Sequence, residues 1–251
     1  MRIADNLSHP ASAEWEGTQG VLFDLDGTLL DTARDMASAL NTLRTEKGFG
    51  VLPFAPIREL VSCGAGRLVA FAFPSATAEE LDCLRDRFIE IYRGCLVVET
   101  RAYEGLLGAL TELESASIPW GVVTNKPTSL SQPLLEQLGL ASRAAVLVSG
   151  DTLAERKPHP APLQYAARIC GVAPARCMYV GDAERDIIAA RAAGMKSFVA
   201  LYGYIPGSEQ PRSWPANGWL ESPLALARLL RSLAGSLSRM HTRRRERHDH
   251  T

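Results

Sequence analysis

The chain has 251 residues, 46% of them apolar, and its 27 Lys and Arg nearly balance 28 Asp and Glu. This suits one large globular domain, or one domain with a sizeable insertion, rather than a fibrous or disordered chain, and a net charge of −1 gives no reason to expect nucleic acid as a partner. The five cysteines, Cys63, Cys83, Cys95, Cys170 and Cys177, are odd in number and form no C-x-x-C pair, which argues against a disulfide framework or zinc site and for reduced thiols in the cytoplasm.

Residues 1–18 are polar, aperiodic and without an apolar signal core, so they read as a flexible N-terminal extension. The run "GVLFDL" at 20–25 predicts a buried strand. Over 32–100 no strand pattern appears, but "ARDMASALNTLRTEKG", "IRELVSCGAGRLVAFAF" and "AEELDCLRDRFIEIYRGCL" place apolar residues at helical spacing. This stretch predicts a helical subdomain inserted after the first strand.

From residue 101 onward helices and strands alternate, with helices predicted at 104–117, 128–139, 160–171, 184–193 and 222–234 and strands at 119–124, 144–149, 176–181 and 196–201. Alternation of this kind implies an α/β doubly wound parallel sheet whose ligands bind at the carboxyl ends of the strands. The expected organisation is a core of 19–31 and 101–235, an all-helical cap of 32–100, and a charged tail of 236–251. The Arg243-Arg244-Arg245 run in that tail reads as a solvated terminus rather than a binding patch. The longest apolar run, "LVAFAF" at 68–73, is far below the roughly 18 residues of a membrane span.

Chemistry gathers at the strand ends. Asp24 and Asp26, spaced i, i+2, share one side of the first strand where it ends, and Gly27 then lets the chain turn. Two close carboxylates repel unless something neutralises them, and a hard divalent cation with oxygen ligands is one remedy. In "VVTNKP" Thr124 and Asn125 follow the second strand, where a hydroxyl either donates to a phosphoryl oxygen or caps the next helix. Lys157 in "RKPHPAP" precedes another helix, and Asp182 and Asp186 in "YVGDAERD" follow the fourth strand of the series. Each fragment has a plain structural explanation; together they fall at the ends of separate parallel strands.

In this order, "DLDGTLLDT", "VVTNKP", "RKPHP" and "GDAERD" resemble the four signature motifs of the haloacid dehalogenase superfamily of phosphatases. The resemblance spans about residues 20–202 and includes an insertion where that family carries helical caps. It implies that Asp24 is the nucleophile and Asp26 the acid and base, and that Thr124, Asn125 and Lys157 bind the phosphoryl group. It further implies Mg2+ held by Asp24, the Asp26 carbonyl and Asp182, with Asp186 behind them. Among relatives the chain looks like the phosphoglycolate phosphatase branch, and most like N-acetylmuramic acid 6-phosphate phosphatases, with 2-phosphoglycolate the alternative substrate.

Either substrate carries a carboxylate, for which Arg67 in "SCGAGRL" is a candidate clasp. Tyr204 and Trp214 could stack on a sugar or simply pack. A sugar phosphomutase or a silent phosphate-binding protein on the same scaffold are the remoter readings. A signalling receiver domain fails, because its acids precede its Thr and Lys whereas Asp182 here follows Lys157.

Overall fold

The computed structural model describes residues 15–248, with side chains through 236. Six parallel strands form one sheet in the order β5-β4-β1-β6-β7-β8: β1 Gly20–Phe23, β4 Trp120–Val123, β5 Val146–Val148, β6 Cys177–Gly181, β7 Lys196–Ala200 and β8 Gly218–Leu220. The strands read as continuous apolar runs because both faces are covered. Along β1, Val21 and Phe23 enter one core cluster and Leu22 the other, as a period of two requires.

On the first face lie α5 (Leu106–Ser115) and α9 (Pro223–His248), which meet through residues such as Leu110, Leu113, Leu226 and Leu230. On the other face α7 (Ala161–Ile169) and α8 (Glu184–Ala192) cover Leu22, Val123 and Tyr179 with Leu163, Ala166, Ala189 and Ala190. The remaining core helix, α6 (Thr128–Gln137), follows β4 and buries Leu130, Leu134 and Leu135 in the first cluster. Because β4 and β6 flank β1, the winding reverses there, and this opens a crevice beyond its carboxyl end.

The insertion after β1 is helical: α1 (Ala33–Glu46), α2 (Phe54–Leu60), α3 (Ala65–Ala72) and α4 (Ala78–Arg93), joined around Leu40, Ile57, Leu68, Val69, Phe88 and Tyr92. Thr77 and Glu80 close a reciprocal capping box at the start of α4. The chain enters and leaves the cap through a two-residue antiparallel ladder, β2 (Leu30–Asp31) with β3 (Arg101–Ala102). Just inside it the buried Asp35 carboxylate accepts the backbone N–H groups of Val98 (3.0 Å), Glu99 (3.0 Å) and Thr100 (2.8 Å), tying the outgoing helix to the returning strand.

Several sequence expectations need revision. The segment with helical spacing at 57–73 is two helices and a 3-10 turn (Val61–Cys63), broken at Gly64, whose φ of +88° is left-handed. The final helix continues to His248 instead of ending near 234, since no proline stops it and its Arg-rich end favours helix. β8 and the β2/β3 ladder are too short to leave a periodic signature. Residues 1–14 of the N-terminal extension and the side chains of the Arg243–Arg245 run lie outside the described residues. Among the described residues no helix is long and apolar enough to cross a membrane.

Candidate active site

Three acids meet at the mouth of the crevice. Asp24 directly follows β1, its N–H bonded to Val180 O of β6 at 2.8 Å, and Asp182 directly follows β6. Asp186 projects from the first turn of α8 and receives Ala183 N–H at 3.0 Å. All three are buried, and a carboxylate oxygen of each lies within 4.8 Å of the other two. Close approach demands glycine: at Gly27, whose φ is +75°, a Cβ would collide with the Asp182 carboxylate and the Tyr204 ring, and at Gly203 it would strike Asp182 from the other side.

One cation answers this charge directly. The fully buried Lys157 ammonium lies 2.9 Å from Asp24 Oδ1 and 2.8 Å from Asp186 Oδ1, and also donates to Val123 O (2.9 Å) and Tyr179 Oη (2.7 Å). Burial holds the Tyr179 phenol well above its usual range, so it stays neutral and donates to Val123 O at 2.7 Å. Lys157 thus sits against Asp24 and Asp186, where its charge offsets the crowding of the acids. Leu25 N–H also donates to Asp24 Oδ1 at 2.8 Å, which leaves Asp24 Oδ2 without a hydrogen bond among the described residues.

A single lysine does not balance three carboxylates. Burial, then the charges of Asp24 and Asp186, push Asp182 up to about 7, and burial likewise raises Asp186. Asp182 Oδ2 is satisfied by Tyr204 N–H (2.7 Å) and the Ser62 hydroxyl (2.8 Å), but its Oδ1 is buried without a hydrogen-bond partner among the described residues. Three hard oxygen donors, one of them orphaned, fit a divalent cation of the magnesium type.

Asp26 is directed elsewhere. Its Oδ1 accepts from the Thr32 hydroxyl (2.6 Å) at the entrance to the cap and from Lys126 Nζ (2.9 Å), so its carboxylate stands outside the three-acid cluster. Sequence reasoning passed over Lys126, which stands beside Asn125 in the quoted motif. The side chain is buried under the cap, with Tyr92 Oη at 3.3 Å, and although burial alone would lower its pKa, Asp26 and then Tyr92 hold it above the ordinary lysine range. Only tertiary contact with α4 distinguishes it from a solvated lysine.

The remaining expected residues divide. The Thr124 hydroxyl accepts Lys126 N–H at 3.1 Å and keeps its own proton to donate, and it is not the cap of α6, whose first flanking residue is Pro127. Asn125 faces Lys157 rather than the mouth: its amide donates to Lys157 O (2.9 Å) and accepts Lys157 N–H (3.1 Å), which fixes that loop. Arg67 is exposed on the first turn of α3, and its guanidinium has no partner among the described residues.

Stacking of Tyr204 or Trp214 on a sugar does not survive the structure. Trp214 is buried beside Ile187 and Val199. Tyr204 is fully buried and its hydroxyl is used at the hinge, donating to Asp31 Oδ1 (2.6 Å) and accepting Thr32 N–H (2.7 Å) and Ala33 N–H (3.0 Å).

The sequence profile of the haloacid dehalogenase-like hydrolases matches residues 21–200. The chain belongs to that family. A Xanthomonas campestris relative named phosphoglycolate phosphatase is 48% identical over 205 residues, 82% of this chain and 93% of the relative. A Pseudomonas putida relative named N-acetylmuramic acid 6-phosphate phosphatase is 38% identical over 215 residues, 85% of this chain and 96% of the relative. Among solved structures, one described as a predicted phosphoglycolate phosphatase from Haemophilus somnus superposes with a TM-score of 0.76 at 27% identity, covering 85% of this chain and 98% of its own. This member of the family is an enzyme, a phosphatase with an α/β core and an inserted helical cap.

Proposed function

We propose that this phosphatase is a Mg2+-dependent phosphomonoesterase that works through a phosphoenzyme on Asp24 and acts on small, carboxylate-bearing phosphate esters. The observation that carries the reading is the orphaned Asp182 oxygen inside a buried three-acid cluster, next to an Asp24 with one oxygen free. Asp24, Asp182 and the Asp26 carbonyl, with Asp186 behind them, would hold Mg2+, which would supply positive charge that screens the acids and polarises phosphoryl oxygens.

In this scheme an Asp24 oxygen forms a bond to phosphorus as the ester P–O bond breaks, and the departing alkoxide takes a proton from Asp26. Asp26, now ionised, accepts a proton from water as that water attacks the aspartyl phosphate, releasing inorganic phosphate and restoring Asp24. Thr124 donates to a phosphoryl oxygen, Lys157 keeps Asp24 and Asp186 from repelling one another, and Asn125 holds Lys157 in register. Lys126 and Thr32 orient Asp26.

Two substrates fit the class. Relatives named phosphoglycolate phosphatase at 45–48% identity and N-acetylmuramic acid 6-phosphate phosphatase at 38% support 2-phosphoglycolate and N-acetylmuramic acid 6-phosphate about equally, although the whole-chain resemblance read from the sequence leans to the latter. Five free cysteines support work in a reducing compartment such as the cytoplasm. Steady-state kinetics on both esters with Mg2+ decide between them: a strong preference in kcat/KM names the substrate, and turnover of neither, with p-nitrophenyl phosphate also untouched, removes the reading.

A further inference from the structure

We propose that Arg185 is the residue that recognises the carboxylate of the substrate, an inference that rests on the carboxylate-bearing substrate class proposed above. Arg185 is the second residue of α8, one position before Asp186, yet its side chain leaves the core and crosses to the cap. Its Nη2 donates to Ser62 O at 2.6 Å, and the hydroxyl of the same Ser62 donates to Asp182 Oδ2 at 2.8 Å. The guanidinium therefore lies on the seam between cap and core, beside the three-acid cluster and against the cap turn Val61–Cys63.

Its hydrogen bonding is incomplete. A guanidinium carries five N–H donors, and among the described residues only the bond to Ser62 O is made. Among the described residues Nε is buried without a partner, and no carboxylate comes within ion-pair distance although the charges of Asp186, Asp24 and Asp182 act on it. Burying a guanidinium donor without an acceptor is unfavourable, and a ligand carboxylate brought against the guanidinium would supply acceptors in bidentate fashion.

The other cations near the mouth are less suited. Lys157 is held by Asp24 and Asp186, Lys126 by Asp26, and Arg58 by Tyr202 O and the face of Tyr204. Arg67, the expected clasp, is exposed to solvent.

The test uses the full chain with Mg2+ and two substrate pairs that differ in the carboxylate: 2-phosphoglycolate against ethyl phosphate, and N-acetylmuramic acid 6-phosphate against N-acetylglucosamine 6-phosphate. The wild type is expected to prefer the acidic member of at least one pair. Arg185→Gln should lower kcat/KM for that member by at least about 30-fold, mainly through KM, while its partner and p-nitrophenyl phosphate change less than about 3-fold. Arg185→Lys, which keeps the charge but loses the fork, should fall between and serves as the test if the Gln variant does not fold.

An equal loss on both members of a pair overturns the proposal, because the guanidinium then only ties down the cap turn. An unchanged preference overturns it and leaves the substrate class standing. A wild type indifferent to the carboxylate in both pairs overturns the substrate class and this role together.

Discussion

The mouth of the core and the cap above it are built on opposite plans. At the mouth, charge is buried: Asp24 and Asp182 directly follow strands, Asp186 lies in the first turn of α8, Lys157 comes from the loop before α7, and all four are held by short polar contacts. The cap buries aliphatic and aromatic side chains and leaves Phe49, Val51, Phe54 and Phe71 exposed on its outside. Besides the apolar contact near Leu29 and Met36, directional bonds join the two: Tyr204 under the hinge, Ser62 on Asp182, and Lys126 between Asp26 and Tyr92. The difference teaches that buried charge is carried by the part whose geometry is imposed by the sheet, while the cap is an apolar assembly tied to it by a handful of directed polar contacts.

The division can be broken by substitution. Asp24→Asn should lower kcat on p-nitrophenyl phosphate by about 10^4-fold or more with the circular dichroism spectrum unchanged; retained turnover would place the chemistry elsewhere. Lys157→Met should lower kcat by about 10^2 to 10^3-fold and also weaken the core by about 3 kcal/mol in urea unfolding, because it leaves two buried acids without their cation.

At the hinge, Asp35→Ala strips three backbone N–H groups of their acceptor and should cost about 3 kcal/mol. A loss well under that in urea unfolding would mean that the cap is secured by apolar packing instead.

Acidity sharpens the comparison further. Asp182 titrates near 7 without a cation, above its unfolded value of 3.8, so its contribution to stability is complete at low pH and is lost as pH rises through about 7. Mg2+ binds the ionised acids, so the rise in Tm it produces should be largest near pH 8 and fade toward pH 5, by scanning calorimetry with and without chelator. An Mg2+ effect that grows on acidification would contradict the cluster as its site. The smallest effect belongs to the cap alone: Thr77→Ala opens the capping box of α4 and should cost about 1 kcal/mol while kcat/KM stays the same.

Much of this was legible in the sequence because the signals are local. Parallel strands covered on both faces must be apolar throughout, so β1, β4, β6 and β7 stand out from a single chain, and acids placed just past an apolar run mark its end. The short elements β8 and β2/β3 carry too few residues for a period to register. Lys126 and Arg185 were missed for another reason: each looks like a surface cation until the cap covers it.

Alone, then, the sequence determined the order of elements, the helical nature of the insertion and the motif acids, since hydrophobic periodicity and turn chemistry act over a few residues. Only the tertiary structure decided which of those acids share a cluster, that Asp26 is turned to Lys126, that Asn125 braces Lys157, and that Tyr204 packs instead of stacking. Those outcomes depend on distances between residues far apart in the chain, which are set by sheet order and by how the cap sits on the core.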